Sequence, residues 1–306
     1  MPRFLISGHI NLETTLRIES FPLNYNPVNY PFFGINSTVA GVGYNISKAL
    51  KTLGNELNLL SVVGPDMAGQ QVRAALAAEN LPADYVFTAK HTGQAVIIFE
   101  KTGRRQIHTD LKDIQDQSYP TEAFEQALTQ AEACVLCNIN FSRPMLAPAR
   151  TAGKLVATDV HALSSLDDEY NGDFMRAAQV LFLSHERLPA PPEEFAREAL
   201  RRFGNEVVVI GCGGEGAVLA VRQDNFVGRF PAVTVRPIVN AIGAGDALFS
   251  AFLHNYARTR NPYTALQTAM VFAAWKIGAT GAAEGFLTEA ELARLTAKHG
   301  PPVKTD

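Results

Sequence analysis

Cysteine is scarce in this sequence: Cys134, Cys137 and Cys212 are the only three in 306 residues. So small and odd a number builds no disulfide framework. Cys134 and Cys137 have the spacing of a redox or zinc pair, but they lie in the apolar run 133–140, which reads as a buried strand. No second pair or nearby histidine completes a site, so ordinary core cysteines are expected. Lysine and arginine form no block and the net charge is only −3, which sets aside nucleic acid and anionic membranes as main partners. No apolar run reaches the length of a membrane span. Met1-Pro2-Arg3 leads straight into the strand-like Phe4-Leu5-Ile6-Ser7, without a signal-peptide pattern, so a cytoplasmic protein is expected. Several catalytic signatures are missing as well. There is no Gly-x-x-x-x-Gly-Lys-Ser/Thr loop, no Gly-x-Gly-x-x-Gly after the first strand, no His-Glu-x-x-His and no Gly-x-Ser-x-Gly elbow. These absences argue against a P-loop enzyme, a dinucleotide oxidoreductase, structural zinc and a serine hydrolase.

What is present is a large apolar fraction, 47%, against 19% charged residues, enough for a buried sheet and too much for a disordered chain. The length suits one large domain with a smaller appended unit. Apolar runs at 3–7, 57–63, 134–140, 154–160, 180–184 and 206–211 read as strands. Helical periodicity between them predicts helices after Asn45, over 70–80, over 121–131 and over 191–203. Strands separated by helices predict an α/β fold with a mostly parallel sheet covered on both faces. The segment 94–107, with its turn Lys101-Thr102-Gly103-Arg104, suits a hairpin. Phe21 to Gly34 is rich in proline and aromatics and reads as strands or a flap standing off the main domain. Residues 217–235 read as a β meander, and Thr288-x-x-Glu291 is a capping box near the end.

The stretch Asn240-Ala241-Ile242-Gly243-Ala244-Gly245-Asp246 follows the β-branched run 233–239, read as a strand-like approach. It precedes Leu248, Phe249, Phe252, Leu253 and Tyr256 at helical spacing. Glycines free several N–H groups to converge, and a helix N-terminus seats an anion. An aspartate in that turn sits where it can take a proton from an attacking hydroxyl. The same residues also suit a plain N-capped loop, so the stretch alone leaves both open. Ligands of open parallel sheets bind at the carboxyl ends of the strands. The segments 8–13, 40–45, 211–216 and 243–246 can therefore share one cleft.

These motifs, in this order, resemble the ribokinase-like (PfkB) family of carbohydrate and nucleoside kinases. The Gly-Ala-Gly-Asp signature matches Gly243, Ala244, Gly245 and Asp246. The earlier glycine signature matches Ala40-Gly41-Val42-Gly43-Tyr44-Asn45, and the Gly-x-Asp-x-x-Gly element matches Gly64 to Gly69. Gly213-Gly214-Glu215-Gly216 stands at the nucleotide loop and Gly281-Ala282 at the late Gly-Ala near the adenine site. The resemblance implies a ribokinase-like fold over 1–306, with a small β lid from about 11–38 and 92–112. It also implies ATP with magnesium as donor and a primary hydroxyl of a sugar as acceptor.

By the same resemblance, Asp246 is the catalytic base and the amides of Gly243, Ala244, Gly245 and Asp246 form the anion hole. Asn11, Glu13, Gly41, Gly43 and Asn45 bind the acceptor, while Gly211, Gly213, Gly216, Gly281 and Met270 bind the nucleotide. Glu186 is the candidate metal contact, in Ser184-His185-Glu186-Arg187, where the family's Asn-x-x-Glu is not preserved. Asn240-Ala241 replaces the family's Asp-Thr pair by the monovalent-cation loop, which leaves potassium activation open. A nucleoside acceptor, with Tyr25, Tyr30, Phe32 and Phe33 stacking on a base, is the alternative. A sugar-binding sensor that has lost efficient catalysis is a second one. Exposed lid strands offer edges through which two chains can pair.

Overall fold

The computed structural model describes residues 2–300. The chain enters through β1 (Arg3–Ser7), β2 (Asn11–Arg17), β3 (Ile35–Ala40), α1 (Val42–Thr52), β4 (Glu56–Val63) and α2 (Met67–Ala78). Next come β5 (Val86–Thr88), β6 (Gly93–Phe99), β7 (Arg105–Asp110), α3 (Thr121–Gln130), β8 (Ala133–Leu136) and α4 (Leu146–Thr151). The second half runs β9 (Leu155–Ala162), α5 (Gly172–Ala177), β10 (Val180–Ser184), α6 (Pro192–Phe203), β11 (Val207–Gly211), β12 (Ala217–Val221) and β13 (Phe226–Phe230). Three helices follow: α7 (Ala244–Thr259), α8 (Pro262–Lys276) and α9 (Glu289–His299).

Nine strands form one sheet in the order β13-β12-β11-β10-β9-β8-β1-β4-β5. Its pairs are parallel except β11–β12 and β12–β13. Successive residues of the central strands are apolar on both faces. In β10, Val180 and Phe182 join the cluster that packs under α1, α7 and α8, while Leu181 and Leu183 join the one under α3 to α6. A sheet covered on both sides explains why its strands read as continuous apolar runs. The order folds back at β1, with β4 on one side and β8 on the other, the kind of switch point where a crevice opens at the strand ends. A second sheet, β3-β2-β6-β7, stands beside that end.

Several expectations need correction. The run 233–239 forms no strand; Val239 and Asn240 donate to the Ile277 carbonyl at 2.8 and 3.2 Å, so β-branched residues here serve a loop clamped to the end of α8. The meander stops at Phe230, and the strand expected over 134–140 ends at Leu136. No strand forms over 18–34, and Tyr25, Tyr30, Phe32 and Phe33 lie exposed there; with no sheet or helix over them, their apolar content reports no burial. The three cysteines are free and buried, as expected. The capping box at Thr288 and Glu291 forms with both of its hydrogen bonds.

Candidate active site

Two helix N-termini meet at the ends of the central strands. Gly43, in the first turn of α1, lies so close to the end of β1 that a Cβ there would come within 2.6 Å of the Gly8 carbonyl oxygen. That contact lowers α1 onto the sheet and brings Asn45 beneath the start of α7. Gly243 precedes α7 with φ +74°, and a Cβ on it would meet the Ala282 oxygen at 2.3 Å. Only glycine turns the chain there without strain. The turn is held by Asn240, whose side chain accepts from the Ile242 amide at 3.0 Å and donates to the Thr280 carbonyl at 2.8 Å. Asn240 therefore has its own structural work in place of the family's aspartate.

Asp246 lies in the first turn of α7 and accepts a 2.7 Å hydrogen bond from Asn45 Nδ2. The first-turn amides of an α-helix lack intrahelical partners, and Gly245, one residue before the carboxylate, is exposed. Desolvation raises the Asp246 carboxyl to about 6, opposed by the Asn45 bond and the charges of His161 and Lys276 and reinforced by Asp159. Glu13, on β2, is raised to about 7, first by burial and then by Asp246. Glu13 thus lies within the field of Asp246 at the seam between the two sheets. Three buried oxygens at this seam, Asn11 Oδ1, Glu13 Oε1 and Asn45 Oδ1, have no hydrogen-bond partner among the described residues. Buried acceptors without donors are costly, and hydroxyl donors of a small polyol would satisfy them.

The nucleotide candidates are arranged differently. Gly213, Gly214 and Glu215 form an exposed turn after β11, closed by Cys212 N donating to the Gly216 carbonyl at 2.8 Å. The Gly211 carbonyl stands 3.0 Å from His185 Nδ1. Gly281 donates to Glu284 at 2.8 Å. Met270 is buried in the core on α8. Glu186 is exposed and pairs with Arg105 of β7 at 3.2 Å, bridging the small sheet to the large one. Among the described residues no three His, Cys, Asp or Glu side chains gather to hold a metal ion by themselves.

A family model of pfkB family carbohydrate kinases matches residues 5–289. The chain belongs to the pfkB family. It is 26% identical over 297 residues to the acarbose 7(IV)-phosphotransferase of Actinoplanes sp., covering 96% of this chain and 98% of that protein. It is 25% identical over 301 residues to the ATP-dependent ribose-1-phosphate kinase of Halopiger xanaduensis, covering 97% and 99%. The solved structure of a microbiome-derived acarbose kinase superposes with a TM-score of 0.85 at 24% identity, over 97% of this chain and 99% of that one. The fold is thus that of ribokinase-like enzymes, and the chain is a carbohydrate or nucleoside kinase of this family.

In this pfkB kinase the sequence motifs leave out three groups that the fold brings to the same place. Asp159 and His161 lie in the last half of β9, with the His161 amide donating to Asp159 Oδ1 at 2.8 Å and φ +58° at His161. Lys276 ends α8, fully buried, with its ammonium on the Ile242 carbonyl. A charged residue closing an otherwise apolar run is the only signal in the sequence, visible in Leu155-Val-Ala-Thr-Asp159 and in the apolar α8 before Lys276.

Proposed function

We propose that this chain transfers a phosphoryl group from ATP to a primary hydroxyl of a sugar. The observation that carries this is the set of unpaired acceptors, Asn11 Oδ1, Glu13 Oε1 and Asn45 Oδ1, around a carboxylate at a helix N-terminus. A sugar brings several O–H donors to such a site. Asp246 takes the proton of the attacking hydroxyl, and a carboxyl near 6 is ionised at neutral pH yet basic enough to accept it. Asn45 fixes the orientation of that carboxylate. The amides at Gly243 to Asp246, with the positive end of α7 behind them, stabilise charge on the transferring group.

The residues fit ATP with a divalent ion. The exposed Gly213–Glu215 turn offers backbone groups for the nucleotide, with Gly281 buried behind the Glu284 contact. A magnesium ion of such an enzyme is held largely by phosphates and water, with one or two carboxylates; Glu186 is the candidate carboxylate on the rim. When bound, this pair supplies the phosphoryl group and neutralises its charge. The small sheet, carrying Asn11 and Glu13, covers the acceptor as a lid.

Two relatives are named for acarbose and ribose 1-phosphate, which directs the choice of acceptors. A panel of ribose, fructose, sugar phosphates, acarbose and adenosine, read by ADP release, should give turnover with a sugar or sugar derivative. Turnover with adenosine alone would move the assignment to a nucleoside kinase. Sugar binding without ADP release from any acceptor would make the protein a sensor.

A further inference from the structure

Lys276 is fully buried, which lysine tolerates only when its charge is compensated. Its ammonium donates to the backbone carbonyl of Ile242, and no salt bridge joins it to a carboxylate among the described residues. Ile242 immediately precedes Gly243, so the charge lies under the turn that opens α7. The same turn is tied to the segment after Lys276 by three further links: Val239 and Asn240 to Ile277, and Asn240 to Thr280. A dehydrated cation held on a peptide oxygen beneath an anion-binding turn resembles the environment of a bound alkali ion.

Resting on the kinase reading above, we propose that Lys276 is a positioning residue that serves as a built-in monovalent cation. It fixes the Asn240–Asp246 turn and adds positive potential behind its amides, so that no dissociable alkali ion is needed. The charged groups facing it are Asp246 on α7, Glu13 on β2, Glu284 after α8 and Arg236 in the loop before the turn. Burial pushes the ammonium down to about 8, the three carboxylates hold it up, and Arg236 opposes them. It is thus charged at neutral pH.

The test compares potassium chloride with tetramethylammonium chloride at equal ionic strength, about 100 mM, where surface charges are equally screened. The wild-type protein should show the same turnover, the same affinity for a non-hydrolysable ATP analogue and the same melting temperature in both salts. Lys276→Ala should lose turnover by at least about tenfold, as expected for a lost electrostatic support. It should recover part of it in potassium or ammonium but not in tetramethylammonium, and its melting temperature should rise selectively in potassium. Lys276→Met, which fills the space without charge, should lose turnover without recovery. If Lys276→Ala does not fold, the wild-type comparison and Lys276→Met still decide. A wild-type protein activated several-fold by potassium, an alanine variant indifferent to the cation, or a methionine variant with wild-type turnover would overturn the proposal. If no acceptor is phosphorylated by the wild type, the kinase reading fails separately. Analogue affinity and melting in the two salts then still report on Lys276.

Discussion

The two ends of the proposed site are built on opposite principles. At the acceptor end, side chains are buried and charged or left unpaired: Asn11, Glu13 and Asn45 hold open acceptors, and Asp246 is raised by desolvation. At the nucleotide end the exposed turn Gly213–Glu215 offers mostly backbone, and its rim carboxylate Glu186 already has an arginine partner. Buried polar groups hold their geometry because every displacement costs hydrogen bonds or desolvation. An exposed backbone turn presents the same N–H and C=O groups whatever its side chains. On the proposed reading, the acceptor end sets selectivity and chemistry, and the nucleotide end a general grip on phosphates.

If that division holds, the largest loss comes from the acceptor end. Asp246→Asn should lower kcat by about 10²–10⁴ while calorimetry shows ATP-analogue affinity little changed. A variant turning over near the wild-type rate would remove Asp246 as base. Next is Gly243→Ala, where the new Cβ meets the Ala282 oxygen at 2.3 Å and φ is +74°. Strain of this kind costs about 1–3 kcal/mol, so both a lower melting temperature and weaker turnover are expected.

Asn45→Ala tests the hydrogen bond that favours ionised Asp246. Because the bond stabilises the charged form, its loss raises the Asp246 carboxyl further. In the wild type, activity should rise with pH through about 6 as Asp246 deprotonates. In Asn45→Ala that acidic limb should move to higher pH, and the acceptor KM should rise about tenfold, the scale of one lost hydrogen bond to a charged group. An unmoved limb would separate Asn45 from the base.

The same contrast governs what could be seen in the sequence. Gly41, Gly43, Gly213, Gly216 and Gly243 were legible because local backbone geometry demands glycine at each, and local demands leave local motifs. The parallel sheet was legible because a strand covered on both faces is apolar throughout, as β10 and β11 are. Lys276, Asp159 and His161 were not, since their place depends on where α8 and β9 end in space rather than on any spacing to Asp246. The run 233–239 misled for a related reason: its β-branched residues read as strand, but with no neighbouring strand to pair with, Val239 bends and donates to the Ile277 carbonyl. Met270, expected at the nucleotide, lies buried on α8.

The smallest effect belongs to the nucleotide rim and is the sharpest check on the contrast. Glu186 and Arg105 form a half-exposed pair at 3.2 Å, and such pairs are worth about 0–1 kcal/mol. Glu186→Gln should therefore change the magnesium and ATP concentrations for half-maximal rate by no more than about fivefold, with the acceptor KM untouched. Arg105→Gln removes the same ion pair but leaves the carboxylate. If Glu186 meets the metal, only the glutamine at 186 raises the magnesium requirement. Equal effects of the two variants would reduce Glu186 to a strut between the sheets. A large loss of acceptor binding in either would mean that the two ends of the cleft are coupled through the small sheet, and the division drawn between them would fail.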